Sequence, residues 1–221
     1  SITISGATFQ SGAPVTFSGT GITQGTVTVV NSSTITVPVT IAAAATTGVR
    51  TLTVTTPDAG TSTLASGLTI TASPTVTTVT PSSRGQGAVS QNLVVAGTGF
   101  QANATAVFSG TGVTVNSVTV SSATSLTVNV SIDIAAATGA RSLTITNTDK
   151  GAVTLATGLT ITAAPTITTL SPTSFGRGAA AQTLTVNGTG FVAGATVSMS
   201  ATGVTFGTVT VVSATRSEEH T

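Results

Sequence analysis

A repeat of 91 residues constrains this chain more than any other feature. Phe9, Phe100 and Phe191 recur at that interval (100 − 9 and 191 − 100) and follow the segments SGAT, AGTG and NGTG. Later landmarks keep the same frame, since Asp58 matches Asp149 and a Gly-Leu-Thr-Ile run recurs at 67–70 and 158–161. Because these landmarks share one register, the chain is predicted to contain one structural unit copied in tandem.

The repeat frame divides the chain into three copies and a short tail. Residues 1–72 are predicted to be a repeat that lacks its first strand, 73–164 a complete repeat, and 165–215 a repeat that lacks its last strands. The linkers between the copies are only two residues long, at 72–73 and 163–164, and each is followed by the proline that opens the next copy. Short linkers that end at proline restrict a joint, so a semi-rigid row of domains is expected.

Composition and alternation predict an all-β fold. Threonine is the commonest residue, and the branched side chains of Thr, Val and Ile pack well on a pleated sheet. In the segment 142–146, Leu143 and Ile145 share one face and hydroxyl residues the other, as in a sheet with one buried and one solvated face. The segment 135–139 fits either a helical turn or a plain crossover.

Seven strands are predicted in the complete copy: Thr75–Val79, Asn92–Ala96, Thr105–Phe108, Ser117–Val120, Leu126–Ile132, Arg141–Thr146 and Leu159–Thr162. Seven short strands in about 90 residues are typical of a Greek-key β-sandwich. The predicted fold class is therefore all-β, with tandem immunoglobulin-like (Greek-key) β-sandwiches, one complete and two truncated.

Several landmarks resemble the IPT/TIG type of immunoglobulin-like domain. In the middle copy they are Pro81, Gly85, Gly97-Thr-Gly-Phe100, Val107-Phe108 and Asn147-Thr-Asp149; in the third copy they are Pro172, Gly176, Gly188-Thr-Gly-Phe191 and Val197. The resemblance implies an immunoglobulin-like sandwich. In bacteria it implies a surface or secreted protein in which such domains act as spacers, adhesive modules or appendages of enzymes.

The residues found at two positions of the repeat allow predictions about the backbone φ angle. Thr8 stands where the middle copy has Gly99. If Gly99 has a positive φ, then Thr8 is strained, because branched residues rarely adopt that region; otherwise the glycine serves close packing. Asn103 stands where the other copies have Gly12 and Gly194, an exchange that favours a left-handed turn.

The last six residues, RSEEHT at 216–221, break the compositional trend. They hold three of the eleven charged residues and the only histidine. They resemble the in-frame translation of a sequencing-library adapter, so they are predicted to be a non-native tail, with a genuine polar loop as the alternative.

Little in the sequence supports catalysis. A nucleophile needs a neighbouring base, but the sole histidine, His220, lies in the suspect tail, and Lys150, the only lysine, lies in a predicted hairpin turn. Asp58 and Asp149 occupy equivalent places in successive repeats, too far apart for paired carboxylate chemistry. The chain is therefore predicted not to be an enzyme, with no catalytic, cofactor-binding or metal-binding residues and no cofactor.

The weaker candidates for a functional site have simpler structural interpretations. Asp149 with backbone carbonyls could hold a weak calcium ion at a junction between domains, but calcium usually takes six to eight oxygen ligands, and a turn aspartate is the simpler interpretation. Arg50 and Arg141 begin matching strands. Both are expected to be solvated or locally paired, with contact to the neighbouring domain as the alternative.

Charge and hydropathy exclude further classes of partner. Charged residues make up 5% of the chain and the formal net charge is +1, so no basic field is available to bind nucleic acid. No apolar run reaches the 18 residues of a candidate membrane span. The expected partners are the neighbouring immunoglobulin-like domains and an unidentified extracellular ligand.

The predicted function is a structural or adhesive stalk on a bacterial cell surface or secreted protein. The alternatives are an accessory spacer or binding module of a secreted enzyme and an immunoglobulin-like decoration of a phage virion.

Overall fold

The chain folds entirely into β-strands and loops. The computed structural model describes residues 1–180, 182–200 and 203–220, apart from the side chains of 219 and 220, and contains no helix in those ranges. The strands are β1 Ile2–Ser5, β2 Val15–Phe17, β3 Ile22–Gln24, β4 Thr28–Asn31, β5 Thr34–Val37, β6 Val39–Ile41, β7 Gly48–Thr55, β8 Thr61–Ile70, β9 Thr75–Thr80, β10 Ser83–Gly85, β11 Gln91–Thr98, β12 Thr105–Phe108, β13 Val113–Ser122, β14 Ser125–Ile132, β15 Gly139–Thr146, β16 Ala152–Thr162, β17 Thr166–Ser171, β18 Thr183–Thr189, β19 Val209–Ser213 and β20 Arg216–His220.

The middle repeat is a two-sheet sandwich. One sheet has the order β13-β14-β11-β9 and the other the order β10-β16-β15-β12. Only β10 and β16 run parallel; the other pairs are antiparallel. In chain order these are the ABED and CFG sheets of an immunoglobulin constant-type domain with an additional short parallel strand. The predicted fold class is confirmed.

Alternating side chains build the core of this sandwich. Along β14, every second residue from Leu126 to Ile132 is buried and the residues between them are half-buried. Leu93 and Val95 of β11 meet Leu143 and Ile145 of β15 in the same core cluster. Burying each such side chain stabilises the fold by about 1.5–3 kcal/mol.

All seven strands predicted for the middle repeat are present. β10 was not predicted, and β13 and β16 are longer than expected. The segment 135–139 is a plain crossover, entered by a β-turn in which the Ala136 amide donates to the Asp133 carbonyl at 3.1 Å. The Asp133 carboxylate also accepts from the Ala135 amide at 2.8 Å, which fixes this turn.

The first repeat has the same strand order with an interruption. Its sheets are β1-β5-β4 and β2-β7-β8, with a separate pair β3-β6. Pro38 occupies the position of Asn129 in β14. Because proline has no amide hydrogen to donate, it interrupts the strand equivalent to β14 and divides it into β5 and β6. Gly25 bridges the break by donating to the Pro38 carbonyl at 2.8 Å.

The third repeat consists, within the described residues, of one sheet with the order β17-β18-β20-β19. This order matches β9-β11-β14-β13 of the middle repeat. Strand β20 is formed by the tail, and its buried Ser217 occupies the place of the buried Leu126. The tail thus has structural neighbours but brings a hydroxyl where the other repeats bury Leu126 and Ile35; its non-native origin stays a prediction.

Candidate functional site at the joint between the first and middle repeats

The turn between β15 and β16 presents Asp149 at one end of the middle repeat. Buried Asn147 fixes the turn, since its Nδ2 donates to the Gly99 carbonyl at 2.7 Å and its Oδ1 accepts from the Gln101 amide at 3.2 Å. Lys150 adopts a left-handed conformation with φ of +73°. The Gly151 amide then donates to Asp149 Oδ1 at 3.0 Å, so the carboxylate is held in one orientation.

Asp149 joins the two repeats through its second oxygen. Thr71, which follows β8 of the first repeat, donates its hydroxyl to Asp149 Oδ2 at 2.6 Å. Gln101 of the middle repeat donates Nε2 to the same oxygen, also at 2.6 Å. Hydrogen bonds to an ionised carboxylate are shorter and stronger than neutral ones, so this oxygen is the polar centre of the joint.

The charge state of Asp149 reflects this arrangement. The Thr71 hydroxyl is the main reason that the pKa of Asp149 lies below its ordinary value. Partial burial opposes the shift, whereas the Gly151 amide and the Gln101 side chain reinforce it. Donors that bond to the ionised form favour that form, so the joint and the carboxylate charge depend on each other.

Two glycines accept the linker that leads into the middle repeat. A Cβ on Gly99 would lie 3.4 Å from Pro74 Cα, and one on Gly151 would lie 3.5 Å from Pro74 Cδ. The linker therefore rests against both the glycine-rich segment and the turn that carries Asp149. This packing and the hydrogen bond from Thr71 restrict the same joint.

The two glycines of the Gly-Thr-Gly-Phe segment beside the linker have different structural roles. A Cβ on Gly97 would lie 1.9 Å from the Thr75 carbonyl oxygen and 2.7 Å from the Phe100 ring, so this glycine permits the close approach of β9. Gly99 has φ of +70° and permits the turn. Phe100 is 4% exposed, so this segment is a tight strand end beside a core phenylalanine.

The backbone predictions for the other repeats are resolved as well. Thr8 has φ of +57° at the position of Gly99, so the prediction of strain at this branched residue is confirmed. Asn103, Gly12 and Gly194 have φ of 63°, 84° and 81°. The left-handed turn predicted for this position is therefore present in every repeat.

The joint between the middle and third repeats uses different groups. Gln86 accepts from the Ala164 amide of the linker at 3.0 Å and donates to the Ala136 carbonyl at 2.6 Å. A cavity of about 400 Å³ lies at this joint, where Thr162 and Pro165 face Phe191 and Val209. Most of the cavity wall is formed by residues of the third repeat. This is expected because the described part of that repeat is a single sheet with one face uncovered.

The remaining sequence candidates lie apart from one another. Asp58 occupies the turn between β7 and β8 and accepts from the Thr56 hydroxyl and from Gln10 Nε2, the latter at 3.2 Å. The Thr56 hydroxyl is the main reason that the pKa of Asp58 is lowered. This exposed carboxylate repeats the turn of Asp149, but its bonds stay inside the first repeat.

The paired arginines bond within their own repeats. Arg50 is buried and donates Nη2 to the Thr46 hydroxyl at 2.7 Å. Arg141 donates Nη2 to the Ala137 carbonyl at 2.6 Å. These bonds confirm the expectation of local pairing and give no support to the alternative of contact with a neighbouring domain.

Two further observations concern metals and membranes. Among the residues that the structure describes, no three His, Cys, Asp or Glu side chains are grouped so that they could hold a metal ion. The same part of the chain contains no helix that is long and apolar enough to cross a membrane. The side chain of His220 lies outside the described residues.

The strand order and the bonded joint define this chain as a series of tandem immunoglobulin-like β-sandwich repeats. No protein-family model and no curated protein matches the chain. The full extracellular region of plexin A4, domains 1 to 10, is similar at 13% identity and a TM-score of 0.42, over 93% of this chain and 18% of that one.

A second similar structure is the Bacteroides ovatus mixed-linkage glucan utilization locus protein SGBP-B in complex with a mixed-linkage heptasaccharide. Its identity is 17% and its TM-score 0.26, over 69% of this chain and 38% of that one. The chain thus spans a minor part of either protein. The immunoglobulin-like assignment rests on the strand order of the middle repeat.

Proposed function

We propose that this chain is a non-catalytic stretch of a stalk, in which immunoglobulin-like repeats of the IPT/TIG type hold other parts of an extracellular bacterial protein at a distance. The observation that carries the proposal is the bonded joint, where Thr71 of one repeat donates to Asp149 of the next at 2.6 Å. A spacer needs such a joint because a free linker would let the domains fold back on each other.

The IPT/TIG assignment is supported by the recurrence of the glycine-rich segment. In the third repeat a Cβ on Gly188 would lie 1.8 Å from the Thr166 carbonyl oxygen and 2.7 Å from the Phe191 ring. Gly190 has φ of +73°. The middle and third repeats thus need glycine at the same two positions of the Gly-Thr-Gly-Phe segment, for close strand approach and for a positive φ. This recurrence favours the IPT/TIG type, which the same segment resembles.

The surface chemistry favours an extracellular location. Charged residues make up only 5% of the chain, and the solvent faces of the strands carry mainly hydroxyl side chains. Such a surface has few ion pairs for salt to screen. If the stalk also binds a ligand, we expect the contact on loops, where binding residues concentrate.

Small-angle scattering from the full chain tests the proposal. We expect an elongated particle whose profile is described by one arrangement of the first and middle repeats. A compact particle, or a profile that requires many arrangements of these repeats, would contradict a spacer. A catalytic domain encoded in the same gene would instead make these repeats the accessory region of an enzyme.

A further inference from the structure

The chain enters and leaves the middle repeat at opposite ends. The entering linker rests on the turn that carries Asp149, where a Cβ on Gly151 would lie 3.5 Å from Pro74 Cδ. Strand β16 begins directly after this turn and continues for 11 residues to Thr162, a distance of about 33 Å at about 3.3 Å per residue. Tension between the flanking repeats therefore acts along the strands of this sandwich.

The parallel pair of β10 and β16 joins the entering and leaving segments directly. The three residues of β10 lie opposite the last three of β16. The Thr160 amide donates to the Ser82 carbonyl at 2.8 Å, and the Gln86 amide donates to the Thr162 carbonyl at 2.9 Å. Because β10 follows the entering strand β9 and β16 precedes the leaving linker, the chain between β10 and β16 cannot extend under tension until this pair separates.

The direction of the load decides how strongly this pair resists. The two strands run parallel, but tension pulls β10 toward the entering end of the repeat and β16 toward the leaving end. The pair is therefore sheared, and its main-chain hydrogen bonds, which cross from strand to strand, must break together. A single hydrogen bond contributes little to stability, so the resistance comes from this simultaneous loss.

Two side chains fasten the pair to the rest of the sandwich. Arg84 of β10 donates Nη2 to the Asn92 carbonyl of β11, in the other sheet, at 3.2 Å. Gln86 donates Nε2 to the Ala136 carbonyl at 2.6 Å and accepts from the Ala164 amide of the leaving linker at 3.0 Å. The linker is thus bonded to the same residue whose amide bonds to the end of β16.

We infer that the parallel pair of β10 and β16 is a mechanical clamp that keeps the middle repeat folded when the stalk is under tension. Resistance to force depends on the rate of unfolding rather than on equilibrium stability alone, so a pair of three residues can determine it. The inference rests on the proposed stalk function. The clamp lies within one repeat, whereas the scattering experiment concerns the arrangement of two repeats, so either proposal can fail without the other.

The direction of pulling tests the clamp in the full chain with β10 and β16 unchanged. The chain has no cysteine, so introduced cysteines at exposed positions can fix the attachment points for single-molecule force spectroscopy. Ala72→Cys with Ala163→Cys loads the repeat from end to end. Ala72→Cys with Lys150→Cys pulls on two points at the entering end, and the parallel pair then opens from one end, bond by bond. We expect a several-fold higher unfolding force for end-to-end pulling, and equal forces would overturn the inference.

Substitutions beside β16 test whether the barrier lies in this pair rather than between β9 and β11. Gln86→Pro removes the amide that donates to Thr162, because proline has no N–H, whereas Gln86→Ala keeps the amide and removes only the side-chain bonds. Gly85→Pro is the matched control for proline. Its amide is directed away from β16, since amides of successive strand residues point to opposite sides, and a Cβ there would lie 3.8 Å from its nearest neighbour, Thr162 Oγ1.

Under end-to-end pulling at a fixed force, we expect Gln86→Pro to unfold about fivefold faster than Gln86→Ala, as the loss of one hydrogen bond implies. Gly85→Pro should unfold at the rate of the unmodified repeat. Equal rates for Gln86→Pro and Gln86→Ala, or an equal acceleration by Gly85→Pro, would place the barrier outside the clamp and overturn the inference. If a proline variant does not fold, the comparison of pulling directions still decides the question.

Discussion

The hydroxyl of Thr71 lies 2.6 Å from Oδ2 of Asp149, across the boundary between two repeats and 78 residues away along the chain. We expect Thr71→Val to widen the distribution of angles between the first and middle repeats, because the carboxylate loses its only donor from the first repeat among the described residues. Distances between spin labels placed on the two repeats would measure the change.

Thr162→Val is the matched control for the joint. Thr162 is the equivalent residue at the end of the middle repeat, and the cavity that it lines has no Asp or Glu in its described wall. If both substitutions widen the label distances between the first and middle repeats equally, or if neither does, then the Thr71 hydroxyl does not determine the joint.

The same bond makes the joint sensitive to acid. The pKa of Asp149 is lowered in the folded chain, chiefly by Thr71, so the carboxylate stabilises the joint above its unfolded pKa of about 4. This contribution is lost as the pH falls through the lowered folded pKa. We expect the label distances to broaden below about pH 4. Asp149→Asn should remove this step, and a step that persists in the variant would assign it to another group.

Gly97→Ala should destabilise the middle repeat. The added Cβ would lie 1.9 Å from the Thr75 carbonyl oxygen and 2.7 Å from the Phe100 ring, so β9 must move away from β11. Overpacking of this kind costs about 1–3 kcal/mol. Denaturant unfolding measures the change, with Gly85→Ala as the control because the nearest atom there is 3.8 Å away. Equal midpoints for the two variants would contradict the role of Gly97 in close strand approach.

Phe100→Ala should have a larger effect than Phe191→Ala. Phe100 is 4% exposed in a closed sandwich, and truncation of a buried phenylalanine costs about 3–5 kcal/mol. Phe191 is only half-buried, in the third repeat. Thermal unfolding of both variants measures the difference. An unchanged midpoint for Phe100→Ala would show that this ring does not stabilise the core.

Residues 73–164 alone should unfold cooperatively. This segment contains both sheets of the middle repeat and one continuous core cluster, which is what a small domain needs for two-state behaviour. Calorimetry would measure the transition, and a broad transition without a heat-capacity peak would place the domain boundary elsewhere.

Much of the fold follows from local patterns. The alternation in residues 142–146 predicted which side chains of β15 are buried, since successive residues of a strand face opposite sides. The exchange of Asn103 with Gly12 and Gly194 predicted a left-handed turn because only a few residue types tolerate that backbone. Strand β10 was missed because three residues, Ser83–Gly85, are too short for a periodic signal.

The candidate site was predicted less completely. The sequence predicted that Asp149 lies in a turn near a junction between domains. It did not predict the partner Thr71, because nothing in the surrounding sequence distinguishes Thr71 from the many other threonines of the chain.

The sequence by itself determined the 91-residue interval, the buried faces of the main strands and the turns that require glycine or asparagine, because each depends on residues close together along the chain. The tertiary structure alone decided that β10 pairs with β16 and that Thr71 meets Asp149. Those features depend on where distant segments come together when the two sheets pack, and no local pattern specifies that position.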